Sequence, residues 1–416
     1  MEILIVGAGI GGLATALELH AAGVKARIRL FEGATEFAPI GVGISMRPHA
    51  VRELSRLGLD KKLADIAVPA KDHSFYTHNG QLIYSEPAGI AAGYKFPHIA
   101  CHRADLHQIL LDAVIERLGP DAVTMAHRCT SITQDANSVT ASFREGKGAG
   151  TRKVKGDLLI ACDGIHSVVR KQFYPDEGGP VFHGINIWRG STWMKPFLTG
   201  SSTVRVGGIE TTGKLVIYPI RNKLDDQGRQ LINWAAEVRT KTGDMVDWSI
   251  PGRLEDFYPI FESWRFDWID CAALIRDSEF ILEYPMVDRD PVTQWSFGRA
   301  TLLGDAAHPM YPRGGNGGAQ AILDAVALSK ILAKGGDPVD ALKGYEMERI
   351  DTVNRIVMAS RNTPPDLVID TVERLTGGKK FERLEDFITV EELKKINDGY
   401  KQVASYDIKS VNQAAA

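Results

Sequence analysis

The apolar run Glu2-Ile3-Leu4-Ile5-Val6 passes directly into Gly7-Ala8-Gly9-Ile10-Gly11-Gly12, and this junction limits the fold more than any other stretch of the chain. A short run rich in branched aliphatic residues reads as a buried parallel strand. Leu13, Ala16, Leu17 and Ala21 then recur at helical spacing up to Gly23, a good stop signal. A second strand is expected at Ala26 to Phe31, ending in Glu32. Strand, glycine turn and helix together are the context in which G-x-G-x-x-G binds a dinucleotide. Gly7 permits the tight turn, Gly9 lets the backbone approach a pyrophosphate, and Gly12 lets helix and strand close up. The helix start offers free N–H groups and a partial positive charge to the phosphates. Glu32, about 20 residues further on, is placed for the adenosine ribose hydroxyls. The motif alone does not separate NAD from FAD.

Two later strand ends make that choice. Leu158-Leu159-Ile160-Ala161 leads through Cys162 to Asp163-Gly164, with Ser167 and Arg170 following. Arg299 to Leu303 ends in Gly304-Asp305, followed by His308, Pro312, Gly314-Gly315-Asn316-Gly317-Gly318 and a long apolar helix from about Ala319 to Leu332. In open α/β sheets, ligands bind at the carboxyl ends of the strands. Asp305 can accept hydrogen bonds from a polyol such as a ribityl chain. The glycines around Asn316 expose N–H groups at a helix start, where negative charge is favoured, as on the N1 and O2 edge of a reduced flavin. NAD has neither feature, so the set points to FAD. Any one Asp-Gly or Gly-Asp is an ordinary turn; their joint occurrence at strand ends is not.

Bulk properties bound the rest. At 416 residues and 44% hydrophobic, the chain is long for one compact core, so two structural domains are expected. A net charge of -3 argues against a nucleic-acid partner. The four cysteines are scattered without a CxxC pair, which suggests neither a disulfide framework nor a metal site. No apolar run reaches the roughly 20 residues of a membrane helix. The N-terminal stretch lacks the basic region of a signal peptide, which makes the cytoplasm the default expectation. Val411 to Ala416 look like a loose tail.

The set Gly7-x-Gly9-x-x-Gly12, Asp163-Gly164 and Gly304-Asp305, in that order and in those strand contexts, resembles the p-hydroxybenzoate hydroxylase class of flavoprotein monooxygenases. Gly41-Val42-Gly43-Ile44 with Pro48, and His102-Arg103-Ala104-Asp105-Leu106, are similar to its salicylate hydroxylase-like branch. Trp188-Arg189-Gly190, Tyr284 to Pro291 and Gln320 to Asp324 resemble the methylphenazine-carboxylate monooxygenases within that branch. The resemblance implies an α/β fold: a Rossmann-like FAD-binding domain of the glutathione reductase type, an inserted and mainly antiparallel β substrate domain, and C-terminal helices. The expected divisions are residues 1–68, 99–180 and 284–360 for FAD, 69–98 and 181–283 for substrate, and 361–416 for a helical tail.

By the same resemblance, Glu32 binds the adenosine ribose, Arg103 reaches the phosphates or ribityl chain, Asp163 serves both FAD and NAD(P)H, and Asp305 holds the ribityl hydroxyls. Gly315, Asn316 and Gly317 flank the isoalloxazine, Val42, Gly43 and Pro312 contribute to the cofactor site, and His308 supports the flavin loop. FAD is expected to be noncovalent, and NAD(P)H a transient co-substrate, since no second G-x-G-x-x-G exists. The implied reaction hydroxylates a small aromatic or N-heteroaromatic compound with O2 through a C4a-hydroperoxyflavin, in a monomer or homodimer. The competing activity is NAD(P)H oxidoreduction without oxygen insertion.

The segment from about Phe182 to Glu283 changes texture. Ile232, Trp234, Ala236 and Val238 alternate, and Trp188, Trp193, Trp234, Trp248, Trp264 and Trp268 all fall within it. An aromatic pocket under an antiparallel sheet suits a flat substrate. Trp188, Tyr218 and Met310 are the expected liners, Arg189 a polar or carboxylate contact and Tyr218 a ring-hydroxyl base; plain sheet packing competes for each aromatic. Asp288 and Arg289 are open to a structural ion pair. His49 stands where many relatives carry asparagine. In the tail, Thr389-Val390-Glu391-Glu392 reads as a capping box opening a helix; covering the core and joining a dimer are both open to it.

Overall fold

The computed structural model describes residues 1–37, 42–146, 148, 150–240 and 250–413. Gly41 and Trp248 lie outside them. The fully apolar runs form the middle of a six-stranded sheet in the order Ser296–Phe297, Ala300–Leu302, Leu158–Ala161, Glu2–Val6, Arg27–Phe31, Val123–Thr124. All neighbours are parallel except the first pair. Ile3, Leu4, Ile5 and Leu158 to Ala161 are wholly inaccessible, as expected of parallel strands covered on both faces. Helix Ile10–Ala21 packs against Gly317–Ala333 and Arg103–Leu118. The register pairs Val6 with Ala161 and Ala161 with Leu302, so Gly7, Asp163 and Gly304 leave the sheet along one carboxyl edge.

The alternating strands form a second, eight-stranded sheet: Ile250–Pro251, Ile281–Asp288, Val181–Met194, Gln230–Arg239, Lys214–Pro219, Ser202–Val206, Asp72–Tyr76, Leu82–Pro87. It is antiparallel throughout except where Ser202–Val206 runs with Asp72–Tyr76. The strand Ile281–Asp288 pairs along Val181–Met194, so the expected boundary at 284 cuts through a strand. The strands of a small sheet, Gly43–Met46, Ile99–His102 and Val68–Pro69, are interleaved in sequence with those of the two large ones.

Period-two alternation gives this sheet two unlike faces. Trp188, Val204, Val206, Leu215, Ile217, Ile232 and Trp234 share a core with Phe257, Phe261 and Trp264. The opposite face presents Arg189, Asn233, Ala235, Val216, Tyr218 and Arg205, and Asn233 Oδ1 accepts a hydrogen bond from Gly43 N at 2.7 Å. Trp188, Trp234, Trp264 and Trp268 therefore serve the far core and not the ligand side, while Trp193 shares the face of Arg189. Trp188 is corrected accordingly: it is 2% exposed and stacks on Phe257 with ring centroids 4.9 Å apart.

The tail covers the molecule. Thr389 and Glu392 exchange both bonds of the capping box at the start of helix Val390–Val403. Lys401 Nζ and Asn397 Nδ2 each reach Glu86 at 2.7 Å, Tyr94 Oη donates to Tyr406 O at 2.7 Å, and Arg52 donates to Val411 O at 3.1 Å. Val411 is 1% exposed, so the segment expected to be loose is helical to Gln413 and anchored at Val411, with Gln413 itself exposed.

Candidate active site

The first phosphate loop has the shape its glycines require. Gly7 has φ +96, and a Cβ there would lie 2.4 Å from Cys162 O. A Cβ on Gly12 would lie 2.0 Å from Gly7 O. Gly9 has nothing within 4 Å of its ideal Cβ position, so its open side can take a ligand backbone. The helix it opens has no side-chain cap and no acid in its first turn, which leaves its N–H groups for an anion. Glu32 is held by Ala8 N and Ala34 N, each at 2.9 Å. A carboxylate has about four lone-pair sites, so both oxygens retain capacity for ribose hydroxyls.

At the second strand end, Asp163 Oδ2 accepts Val168 N at 2.9 Å while Oδ1 is buried without a partner. Burial raises its carboxyl, against hydrogen bonds from Ser167 and the backbone. Arg170, 1% exposed, donates to Ala306 O and Ala307 O and pairs with Glu177, tying this strand end to the Gly304 turn. Arg289 also pairs with Glu177, and Asp288 pairs with Arg361, so Asp288 and Arg289 are not bound to each other.

At the third strand end, Asp305 lies deep among protein atoms yet reaches solvent. Burial raises its carboxyl, opposed by the charges of His308 and Arg103. An ideal Cβ on Gly317 would sit 3.7 Å from both Asp305 Oδ1 and Met310 Cγ. His308 is fully buried and bonded to Asp324, which also takes Arg349 and Gly304 N, so His308 braces the turn. Asn316 caps helix Gly317–Ala333 with neither side-chain atom bonded, at 2% exposure. Arg103 N donates to Val42 O at 3.1 Å. An orphaned buried amide, an uncapped helix start and an open carboxylate fit a flavin with its ribityl chain.

On the opposing sheet, Arg189 Nη2 donates to Gly43 O at 2.6 Å. Arg189 thus braces the Val42–Gly43 backbone. Tyr218 lies beside it; burial, ahead of the opposing Arg189, raises its phenol. That makes the proton harder to remove from Tyr218 than from a free phenol. The sequence reading missed Arg47, Arg205, His73 and His98. All are buried beside the Gly314–Asn316 loop or on the sheet face toward it. Tail residues Tyr400 and Tyr406 close this side: a Cβ on Gly314 would meet Tyr400 Oη at 1.6 Å, and Arg47 lies over the Tyr406 ring at 5.1 Å.

This arrangement, a dinucleotide fold with two further strand-end acids under a β-sheet roof, defines an FAD-dependent monooxygenase. The chain belongs to the family described as FAD binding domain, which it matches over residues 1–257 and 273–360, and within it to the FAD-dependent aromatic hydroxylases. It is 41% identical to a phenazine 1,6-dicarboxylic acid hydroxylase of Lysobacter antibioticus over 90% of this chain and 91% of that one. It is 31% identical to a 3-hydroxybenzoate 6-hydroxylase of Polaromonas naphthalenivorans over 90% of each. Among solved structures, Klebsiella pneumoniae HpxO complexed with FAD and uric acid superposes with a TM-score of 0.74 at 23% identity, over 99% of this chain and 96% of that one. That last likeness concerns the fold. Among the described residues, no helix is long and apolar enough to cross a membrane.

Proposed function

We propose that the enzyme hydroxylates a planar, carboxylated N-heteroaromatic or aromatic acid, with decarboxylation where the attacked carbon bears the carboxylate. The observation that carries this reading is the makeup of the sheet face that meets Gly43: Ile187, Val216 and Ala235 make it apolar, with Tyr311 packed against them, and Arg189 and Arg205 stand on the same face. An apolar face suits a flat ring and its cations an acid. The relatedness to a phenazine dicarboxylate hydroxylase points the same way.

FAD, when bound, would supply the redox chemistry with NAD(P)H and O2. The chain's residues do the rest. Glu32 holds the adenosine ribose, Arg103 the phosphates or ribityl chain, Asp305 the ribityl hydroxyls, and Asp163 the region shared with NAD(P)H. Val42, Gly43 and Pro312 would contribute to the cofactor site, and Gly315, Asn316 and Gly317 would flank the ring system at a helix start that favours negative charge. Met310 lines the recess near Gly317. Tyr218 donates to a ring oxygen, and Tyr400 and Tyr406 exclude water from the tail side. The test is NADH and NADPH oxidation across aromatic and N-heteroaromatic acids with mass analysis of products. Hydroxylated product with one of these acids supports the reading. Nucleotide oxidation that never yields an oxygenated product would favour a simple oxidoreductase.

A further inference from the structure

The ligand face of the eight-stranded sheet is tied to the rest of the chain at two ends. Its cross-strand partners run Tyr218 with Asn233, Val216 with Ala235, and Lys214 with Glu237. At the first end, Asn233 Oδ1 accepts Gly43 N at 2.7 Å and Arg189 Nη2 donates to Gly43 O at 2.6 Å. At the other, Lys214 Nζ lies 2.6 Å from Glu237 Oε2 and 2.7 Å from Asp366 Oδ2. Arg313, between Pro312 and Gly314, donates from Nε and Nη2 to the same Asp366 Oδ2, at 3.0 and 2.7 Å. One carboxylate oxygen thus joins three parts distant in sequence: the sheet, the flavin loop and the start of helix Leu367–Thr376.

These groups are buried. The side chains of Lys214 and Asp366 are each 1% exposed, Glu237 5% and Arg313 8%. Burial alone would raise the Asp366 carboxyl; the charges of Lys214 and Arg313 outweigh it and hold the group ionised. A buried ion pair adds little net stability over apolar groups of the same volume, while breaking one strands a charge away from water. What the cluster supplies is geometry, since its pairs survive only while loop, sheet and helix keep one spacing. The sheet's own core lies on the far face and does not depend on it. The loop does need a fixed point: Gly315 has φ +60, and helix Gly317–Ala333 follows with no side-chain cap.

We propose that Asp366 is a positioning residue: by holding Arg313 beside Lys214 it fixes the flavin loop, residues 312–317, at one distance from the ligand face. It acts through Arg313 and not on the reacting atoms. The proposal rests on the reading above that sets the flavin ring beside this loop. A loop that drifts takes the start of helix Gly317–Ala333 away from the ring, and the reduced flavin, the more negative form, loses most.

The experiment measures FAD affinity in stripped protein and the flavin midpoint potential in the loaded enzyme. Asp366→Asn keeps the shape and leaves Lys214 with Glu237, and Arg313 with Asp370 at 3.5 Å. It should bind oxidised FAD about fivefold more weakly. Reduced FAD should lose about tenfold more than that, a fall of about 30 mV in the midpoint. Removing a negative charge without moving the loop would raise the midpoint, so the sign separates position from charge. A raised or unchanged midpoint, or unchanged FAD affinity, would overturn the proposal. Should Asp366→Asn not fold, Arg313→Lys and Arg313→Met decide, because both leave Asp366 paired with Lys214. Arg313→Met should lose about tenfold in FAD affinity and Arg313→Lys should keep most of it; equal affinities in the two would overturn the proposal. Wild type that takes up no FAD would refute the flavin reading itself, and the proposal would fall with it.

Discussion

Gly9→Ala separates the demands of the cofactor from those of the fold. The ideal Cβ at Gly9 meets no protein atom within 4 Å, and its φ of -72 with ψ of -174 is open to alanine. Replacing glycine at a compatible position stabilises by roughly 0.4–1 kcal/mol through the unfolded chain. Alanine is a poorer N-cap than glycine, which offsets much of that. Stability without cofactor should therefore change by less than about 1 kcal/mol. The added methyl points into the space assigned to the pyrophosphate, so FAD affinity should fall at least tenfold, about 1.4 kcal/mol. Gly12→Ala is the contrasting control. Its methyl would lie 2.0 Å from Gly7 O and 3.1 Å from Gly7 C, both backbone, so the loop itself must move. Overpacking of that kind costs about 1–3 kcal/mol, and both stability and FAD affinity should drop. Calorimetric titration of FAD into stripped protein, with urea unfolding alongside, reads both quantities. Unchanged FAD affinity in Gly9→Ala would refute the placement of the pyrophosphate.

Three further outcomes follow from the same geometry. Asp305→Ala should weaken FAD retention, each lost ribityl hydrogen bond being worth roughly 0.5–1.5 kcal/mol; a variant that holds FAD as tightly as wild type removes Asp305 from the site. Arg170→Met should cost about 1–3 kcal/mol in urea unfolding, because it leaves the buried carbonyls of Ala306 and Ala307 unpaired and Glu177 with Arg289 alone; a loss below about 0.5 kcal/mol would show that the strand ends are tied elsewhere. Burial, with nearby arginines, pushes His49 down to about 3, His73 down to about 4 and His98 well below its ordinary value. The unfolded chain then binds protons that the native state refuses, so stability should be intact above pH 6.5 and decline as pH falls below it. At pH 5.5 each such histidine costs about 1.4 kcal/mol, roughly 4 in all, and equal unfolding free energies at pH 7.5 and 5.5 would contradict their burial as neutral rings.

The nucleotide side was legible because its physics is local. A glycine turn needs its neighbours in sequence, and strand ends meet at one edge whenever parallel apolar runs assemble, so Gly7, Asp163 and Gly304 came together. The capping box at Thr389 was local in the same sense. The substrate side was not. Alternation separates Trp188 and Trp234 from Arg189 and Tyr218, but it does not say which face looks at the cofactor, and richness in tryptophan suggested the wrong one. In Ser202–Val206 the valines at 204 and 206 necessarily place Arg205 on the opposite face. Only the tail and the flavin loop, distant in sequence, make that face an interior. Val411 is buried for the same reason, through contacts with residues far up the chain.

The central claim, insertion of oxygen into an aromatic acid by bound FAD, is tested most directly by turnover under 18O2. FAD-loaded enzyme would be given NADH or NADPH and the tightest-binding aromatic acid, and the product weighed by mass spectrometry. The account predicts one atom of 18O in the ring hydroxyl per molecule of product, with nucleotide oxidised in proportion. Nucleotide oxidation that returns all the label as hydrogen peroxide or water, with the aromatic acids recovered unchanged, would contradict it.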